Sequence, residues 1–490
     1  MVTRRAVEWF DDRLQAASFA RRALRKAFPD HWAFMLGEIA LYCYVILVLT
    51  GTFLVFFYVG SGREVVHDGP YAPLRGTRMS AAYDSVLRIS FEVRAGLVMR
   101  QIHHWAAVVF VAAIAVHMLR VFFTGAFRRP REINWFVGLS LLLLAMFAGF
   151  TGYSLPDDLL SGTGLRIAYS VLLSIPVVGT WAAFLLFGGE FPTPDLMSRL
   201  YVIHVLLLQG LIVGALTVHL AVVWHQKHTM FRGPGHDEDT VRGSPLWPRY
   251  AMKSVGLAFC VFGVLALLGG LAQINPVWLY GPFDPTIVTS PAQPDWYMGW
   301  LEGALRLAPP WAFRVFGAAV PEPFLPAVML PGLVFTVLAL WPFIERRITG
   351  DDRPHHLLDR PRDAPLRTAV GVAGVSVMAV LTLAGSNDVL ANLLGMQIGT
   401  FNRAARFLLV ALPMATGVVA YAACRELGRR DLHPIAGGRR VVVRRTADGG
   451  FRLDPASAAL PDQPDHGQGG QGEPQRDQRH PEQEARRDEG

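Results

Sequence analysis

Eight long apolar runs recur along this 490-residue chain, and the loops between them contain most of its charged residues. The runs lie at roughly 35–59, 98–123, 134–155, 200–224, 252–273, 323–345, 367–385 and 405–424. A helix rises about 1.5 Å per residue, so about 20 residues span a bilayer core of roughly 30 Å. Only 17% of the residues are charged and 52% are hydrophobic, which excludes an ordinary soluble protein of this length. We predict an all-α integral membrane protein with eight transmembrane helices.

The distribution of Lys and Arg predicts which ends of these helices face the cytoplasm. Basic residues concentrate in the N-terminal segment, in the loops at 124–133, 225–251 and 346–367, and in the C-terminal segment. By the positive-inside rule, both termini are cytoplasmic and the number of spans is even. A ninth apolar stretch at 166–188 contains Pro176 and Gly179, and we interpret it as a helical hairpin at the membrane surface. The expected location is the cell membrane, with several passes and no visible cleavable signal peptide.

Changes in composition divide the chain into five segments. They are a cytoplasmic N-terminal segment (1–30), a four-helix bundle (31–228) with a surface hairpin (156–199), a cytoplasmic loop (229–251), a C-terminal transmembrane domain (252–425) with a loop at 274–322, and a cytoplasmic tail (426–490). The tail is basic at first and then has few apolar residues, so we expect its end to be disordered. Cys43, Cys260 and Cys424 fall in apolar runs, without a disulfide framework or a Cys-x-x-Cys-His motif.

Two of the runs contain histidines at matching separations. His103 and His117 are 14 residues apart, which places them about 40° apart around a helix and about 21 Å apart along it. His204 and His219 are 15 residues apart, or about 60° and about 22 Å. Both runs cross in the same direction, so His103 is level with His204 near the outer face, and His117 with His219 near the inner face. Two facing imidazoles can hold a haem iron, whereas zinc would need further ligands. We predict a four-helix dihaem bundle followed by four C-terminal helices.

Glycines occur at a similar spacing in the first and third runs. Gly37 and Gly51 are 14 residues apart, as are Gly138 and Gly152. A glycine at each histidine level would let a porphyrin lie against the backbone of the two helices without ligands. Two glycine pairs that match two histidine pairs favour two haem sites over unrelated membrane glycines.

Three further polar side chains accompany the histidines of the second run. Arg100 and Arg120, each three residues from a predicted ligand, are candidates to neutralise haem propionates. The alternative is that they only extend towards water at the two membrane faces. His104 is 13 residues from His117 and therefore faces nearly the opposite side of the helix, so we interpret it as a packing or hydrogen-bonding residue.

With these features, the chain resembles the cytochrome b subunit of cytochrome bc complexes over about residues 30–425. The resemblance rests on the histidine and glycine pairs, on TGYSLP at 151–156 and on PDWY at 294–297. TGYSLP and the 15-residue spacing are similar to the chloroplast relative, whereas the single long chain, PDWYMGW, FTGAFRRPRE and the charged C-terminal extension resemble the actinobacterial type. The chloroplast subunit carries a third, covalent haem on a cysteine near the start of the first span. Here that region has Met35, so the resemblance implies two non-covalent haem b groups.

The resemblance implies a proton-translocating quinol:cytochrome c oxidoreductase, in which this chain is one subunit of a complex. Quinol would give one electron to a Rieske iron–sulfur partner and the other to the haem of His103 and His204. The second electron would cross to the haem of His117 and His219 and reduce a quinone at the inner side. The implied partners are a Rieske iron–sulfur subunit, a cytochrome c-type subunit, a terminal oxidase, a second copy in a homodimer and membrane lipid, without nucleic acid. The actinobacterial type implies menaquinol, although no residue identifies the quinone.

The PDWY motif stands where the family has PEWY, and the resemblance assigns it to the outer quinol site. The carboxylate of Asp295 is a candidate general base for quinol, and Tyr297 is a candidate to share its hydrogen bonding. Pro294 and Trp296 complete the motif, and Gly164 aligns with a family glycine that lines the outer pocket. Because Asp is one methylene shorter than Glu, the sequence leaves open whether the carboxylate of Asp295 reaches the quinol. Taken alone, the motif would indicate an interfacial turn with aromatic anchors.

At the inner side, the candidates for quinone binding are His225 and Lys253. Lys227 and His228 also follow the inner histidine, and positive-inside charge accounts for these basic residues equally well. The family's Lys-Asp pair appears here as Lys253-Ser254, so the inner proton donor is undetermined.

Two other functions stay open from the sequence. A dihaem membrane anchor of another quinone-linked dehydrogenase would also pair histidines, but it would need neither PDWY nor the four further spans. A transporter that relays protons through its histidines would leave the matched glycines unexplained. A reduced-minus-oxidised spectrum with two b-type haems would exclude the transporter.

Overall fold

Eight long apolar helices make up most of the chain in the computed structural model, one for each predicted span. They are Leu36–Val55, Gly96–Phe123, Glu132–Ser154, Leu196–Gln226, Leu246–Leu271, Leu325–Thr349, Pro365–Ala384 and Ile398–Arg429, the last of which continues as a helix to Leu432. We number them as the first to the eighth span. The structure describes residues 9, 11–13, 23–29, 31–233, 236–239, 242–287, 293–315, 317–432, 441–445 and 451–455. Within those residues, the eight helices confirm the predicted all-α membrane fold.

The outward surfaces of these helices are apolar. Large side chains such as Leu49, Leu206 and Phe259 are 63%, 71% and 72% exposed. A continuous surface of this kind is unsuited to water and suited to lipid tails. Inside a bilayer, each backbone group must be hydrogen-bonded by the protein itself, and a helix does this within one segment. The chain is therefore a multi-pass membrane protein.

The first four spans share one apolar core. The first span packs on the second, the second on the third and the third on the fourth, while the fifth packs on the first two. Small side chains lie where the helices approach most closely: Cys43 and Ala106 are fully buried, and Ala145 is almost so. These close approaches hold the second and fourth spans, which contain the paired histidines, in one bundle.

A buried group of charges connects the C-terminal half to the bundle. Arg367 of the seventh span donates to Glu345 of the sixth span, with Nε 2.9 Å from Oε2. Its Nη2 also donates to Asp359, which pairs in turn with Arg128 in the loop after the second span, at 3.0 Å in both cases. Each charge in this buried group has a partner of opposite sign, which offsets the cost of removing it from water. The sequence alone did not indicate this group.

Shorter helices lie between the spans. The α-helices are Ala81–Phe91, Leu159–Leu173, Gly179–Phe187, Val277–Tyr280, Gly299–Leu307 and Asn387–Leu393, and the 3-10 helices are Trp32–Phe34, Ala72–Leu74, Trp296–Met298 and Pro361–Asp363. The predicted surface hairpin corresponds to Leu159–Leu173 and Gly179–Phe187, which pack on each other. Asp158 caps the first of these helices, because its Oδ1 accepts from the backbone N–H of Leu160 and Ser161 at 2.8 and 3.0 Å.

The strands are short and occur in five pairs among the described residues. Antiparallel pairs join Ala27–Phe28 to Ser244–Pro245, Glu64–Val66 to Arg78–Ser80, Phe313–Val315 to Ala318–Val320 and Val441–Arg445 to Phe451–Pro455, and a parallel pair joins Met230–Phe231 to Leu357–Leu358. The last antiparallel pair lies in the basic part of the predicted tail. Residues 456–490 lie outside the described residues, so the disorder expected there stays a prediction.

Candidate functional site

The structure places the four predicted ligands in two levels of the bundle. His103 of the second span and His204 of the fourth span line one cavity of about 370 Å³. His117 and His219 lie towards the other ends of the same two helices. We call these the outer pair and the inner pair, as in the sequence analysis.

A local change in helix geometry explains why the two histidine separations differ by one residue. In the fourth span, Ile203–Leu208 is a π-helical segment, and it includes His204. A π-turn accommodates one more residue than an α-turn, and such segments are frequent at functional sites. The 15 residues from His204 to His219 therefore turn through about the same angle as 14 residues of regular helix. The angle between His204 and His219 thus matches that between His103 and His117, which are 14 residues apart.

Two threonines orient the imidazoles of the outer pair. The hydroxyl of Thr50 lies 2.9 Å from Nδ1 of His103, and that of Thr151 lies 3.0 Å from Nδ1 of His204. Each hydroxyl donates its own proton to the carbonyl four residues earlier in its helix, at 2.7 and 2.9 Å. Each Oγ is therefore left to accept from Nδ1–H. The proton is thus fixed on Nδ1, and the lone pair of Nε2 is available to a metal.

The four predicted glycines face the four histidines directly. A Cβ at Gly51 would lie 3.2 Å from Cε1 of His103, and one at Gly152 only 2.7 Å from Cε1 of His204. At the inner pair, a Cβ at Gly37 would lie 3.3 Å from Cε1 of His117, and one at Gly138 would lie 3.7 Å from Cε1 of His219. The levels match the sequence prediction. Each glycine therefore leaves room for the neighbouring imidazole ring, which the methyl group of an alanine would crowd.

The inner pair lacks the threonines of the outer pair. Leu36 and Val137 precede the two inner glycines, where Thr50 and Thr151 precede the outer ones. The Thr-Gly dipeptides at 50–51 and 151–152 are the sequence signal for these hydroxyl contacts. The two predicted haem sites therefore differ in the hydroxyl contacts of their imidazoles.

Buried arginines with spare donors lie at both levels. Within the described part of the chain, Nε and Nη2 of Arg100 and of Arg120 are buried without a hydrogen-bond partner. Arg100 lines the cavity of the outer pair, and its Nη1 donates to the carbonyl of Asn275 at 3.3 Å. Arg120 stacks on Phe34, 4.2 Å from the ring centroid. Unpaired buried guanidinium groups are costly, so these positions fit an anionic group such as a haem propionate.

A second cavity, of about 550 Å³, adjoins the outer pair. Its lining consists of Tyr153, Leu159, Leu160, Ile274, Asn275, Leu279, Tyr280, Gln293 and Asp295. Asp295 and Tyr153 line both this cavity and that of the outer pair. The carboxylate thus lies between the predicted haem ligands and a space of mixed polar and apolar lining, open to a further molecule.

Two side chains hold the carboxylate of Asp295. His104 Nε2 lies 3.1 Å from Oδ1, and the Tyr297 hydroxyl donates to Oδ2 at 3.0 Å. Burial raises the pKa of Tyr297, so its hydroxyl keeps the proton that it donates. Of the two roles allowed for His104, hydrogen bonding is the one in the structure. Its partner is 191 positions away and could not be read from the sequence.

The other predicted outer-site residues lie around this carboxylate at greater distance. Trp296 is 44% exposed, and neither it nor Pro294 lines the two cavities. Gly164 also lies outside both linings, where a Cβ would be 3.9 Å from Tyr153 Cε1. Gly149, which the sequence analysis missed, packs directly under the Tyr297 hydroxyl, and any side chain there would overlap it.

The predicted inner-site residues are not gathered into one of the cavities above. His225, Lys227 and Lys253 are exposed, whereas His228 is half-buried against Phe28, with ring centroids 4.5 Å apart. Burial and nearby cations lower the pKa of His228 to about 4, which makes it a poor proton donor at neutral pH. Ser254 is hydrogen-bonded to Glu38, a residue that the sequence analysis did not consider.

Eight spans with facing histidines at two levels define a class, the helical membrane cytochromes of the b type. Residues 108–282 match a family model described as cytochrome b (N-terminal)/b6/petB. The cytochrome bc1 complex cytochrome b subunit of Streptomyces coelicolor is 49% identical over 449 residues, which cover 91% of this chain and 82% of that protein. The chain belongs to the family of cytochrome b subunits of cytochrome bc1 complexes.

Other relatives agree with this assignment. The subunit of the same name from Mycobacterium tuberculosis is 49% identical over 452 residues, covering 92% of this chain and 82% of that protein. That of Corynebacterium diphtheriae is 46% identical over 442 residues, covering 90% and 82%. A chain of a hyperthermophilic respiratory complex III has a similar structure, with a TM-score of 0.63 and 21% identity over 85% of this chain and 99% of that one. At that identity, the likeness supports the fold alone.

Proposed function

We propose that this chain oxidises quinol beside the outer pair and provides the path by which one electron from each quinol crosses the membrane to a quinone near the inner pair. The observation that carries the proposal is the position of Asp295, which lines both the cavity of the outer pair and the adjoining cavity. A proton acceptor between a ligand-sized space and a redox centre suits quinol, which must lose protons as it loses electrons.

Two non-covalent b haems fit the residues of the bundle. His103 and His204 would hold the outer haem, and His117 and His219 the inner one, with Arg100 and Arg120 paired to propionates. Each haem supplies a reversible one-electron Fe(III)/Fe(II) couple when bound. The freed Nε2 atoms of the outer pair and the spare donors of both arginines support this assignment.

At the outer site, Asp295 accepts a proton from quinol, and its neighbours keep the carboxylate in place for this step. Tyr297 and His104 each occupy one carboxylate oxygen, so the shorter Asp side chain is held at the cavity wall instead of turning to water. His103 and His204 would hold the haem that takes one electron of each quinol, a Rieske iron–sulfur partner would take the other, and Asp295 would release the proton outside.

The orientation follows from the basic loops, which put both termini in the cytoplasm and the outer pair on the opposite side. Proton release outside and uptake inside then add to the proton gradient. The family membership supports a complex with a Rieske iron–sulfur subunit and a cytochrome c-type subunit, arranged as a homodimer with a terminal oxidase. The actinobacterial relatives favour menaquinol as the substrate.

Spectroscopy of the isolated complex tests this proposal. We expect two b-type haems in a reduced-minus-oxidised spectrum, and only one after His117→Ala. Added quinol should reduce both haems in the wild-type complex, and an outer-site inhibitor should block the route through the outer pair. Loss of neither haem in the variant would contradict the ligand assignment.

A further inference from the structure

A glutamate lies in the apolar first span, at the level of the inner pair. Glu38 follows Gly37, whose open side faces the imidazole of His117. The span has a mean hydropathy of 2.0. An acid in such a segment is costly and marks a functional position by default, although near a helix start it also interacts favourably with the helix dipole.

Three hydroxyl groups surround the carboxylate of Glu38. Oε1 accepts a hydrogen bond from Tyr250, and Oε2 accepts one from Ser254 at 2.5 Å. The hydroxyl of Tyr42 lies 2.6 Å from Ser254 Oγ and 3.4 Å from Oε2. Hydroxyl groups both donate and accept, and their protons rotate. The four side chains therefore form one connected network between the first and fifth spans.

The network is partly open at the surface of the protein. Tyr250 is buried, whereas Glu38, Tyr42 and Ser254 are only partly buried, and Lys253 beside them is exposed. A clamp between two helices needs no ionisable group, and serine and tyrosine hydroxyls alone would provide one. A carboxyl group adds what the hydroxyl groups alone lack, an acid that can hand its proton to a bound molecule and take another from water.

We propose that Glu38 is a proton donor of the inner quinone site. The proposal rests on the proposed function, in which a quinone is reduced beside the inner pair. Reduction of one quinone to quinol takes up two electrons, which come from quinol oxidised at the outer site, and two protons. Glu38 transfers one proton to a quinone oxygen and is reprotonated by cytoplasmic water, from which the second proton also comes. Ser254 and Tyr250 hold the carboxylate in position.

The test uses the whole complex with its outer site blocked by an inhibitor. A short-chain naphthoquinol is added, and reduction of the inner haem is followed optically. This is the reverse of the proposed reaction, in which Glu38 accepts the proton. We expect Glu38→Gln to slow the reduction by about tenfold or more, and Glu38→Asp to restore part of the rate. Haem content and quinol oxidation through the unblocked outer site should change little in a single turnover.

Glu132→Gln is the matched control, because Glu132 is an acid in the first turn of the third span. It should leave the rate unchanged, which separates a proton-transfer role from a helix-dipole effect. An unchanged rate in Glu38→Gln with both haems present would overturn the proposal for Glu38. Absence of inner-haem reduction in the wild-type complex would instead contradict the proposed inner quinone site itself. If Glu38→Gln does not assemble, partial activity with a deuterium solvent isotope effect in Glu38→Asp would support the proposal, and the wild-type rate and isotope effect would refute it.

Discussion

Threonine hydroxyl contacts distinguish the outer histidines from the inner ones, and such contacts have an electronic consequence. An imidazole that donates from Nδ1 to an oxygen is a more basic ligand through Nε2, and it stabilises the ferric state. His103 and His204 donate to Thr50 and Thr151, whereas a leucine and a valine occupy the corresponding inner positions. A haem held by the outer pair should therefore be a weaker oxidant than one held by the inner pair, and an electron that enters at the outer pair would move towards the inner pair.

Thr50→Val tests the contact between the Thr50 hydroxyl and His103. Valine keeps the shape of threonine and removes the hydroxyl oxygen, which leaves His103 only its backbone contact with Leu47. We therefore expect the midpoint potential of a haem held by the outer pair to rise and that of one held by the inner pair to stay. A redox titration that resolves the two haems measures both. Thr217→Val is the control, since the Thr217 hydroxyl donates to a backbone carbonyl at 2.8 Å and the side chain is exposed. Equal shifts at both haems, or none, would contradict the effect assigned to the Thr50 hydroxyl.

Among the elements, the helix Leu159–Leu173 depends on its buried N-cap residue, Asp158. The first two residues of this helix line the second cavity, which adjoins the outer pair. Asp158 is fully buried, and burial raises the pKa of its carboxyl from 3.8 to about 6. The folded protein thus favours the protonated carboxyl. This contribution to stability is present below pH 3.8 and is lost as the pH rises through about 6.

Asp158→Asn should flatten this pH dependence. The Asn side-chain oxygen still accepts from the backbone N–H groups of the first turn, but the residue cannot ionise. We expect the wild-type unfolding temperature to fall between pH 4 and pH 7 and that of the variant to change less, as measured by thermal unfolding in detergent. Asp284→Asn is the control, because Asp284 lies in a loop and hydrogen bonds from Thr286 lower its pKa. Parallel curves for wild type and Asp158→Asn would contradict the prediction.

For the molecule as a whole, local patterns predicted the spans and the two levels of paired histidines, whereas contacts between distant segments were not predictable. The eight spans depend on hydropathy over about 20 residues, and the histidine levels depend on helical periodicity, which is visible in one segment. Asp295 meets His104 from 191 positions away, and Ser254 meets Glu38 from 216. Such pairs depend on how the fifth span and the PDWY loop pack on the bundle. The pattern of residues within one segment does not predict that packing.

The outer site therefore depends on the packing of the C-terminal half as well as on the bundle. The helix Gly299–Leu307 follows the PDWY motif directly and packs on the seventh span. At Gly303, the backbone approaches the Leu381 carbonyl so closely that a Cβ would overlap its oxygen. Gly303→Ala must push this short helix away from the seventh span, and Asp295 and Tyr297 would move with it.

We expect Gly303→Ala to keep both haems and to lose most quinol oxidation, because a shift of about 1 Å in a reacting group can cost about 100-fold in rate. Quinol oxidation and haem content in the isolated complex measure the two effects separately. Gly332→Ala, in the sixth span, is the matched control, since a Cβ there meets nothing within 4 Å. Full activity in Gly303→Ala would mean that the PDWY segment is positioned by the bundle alone. Loss of the haems would mean that this contact supports the whole fold and not the outer site in particular.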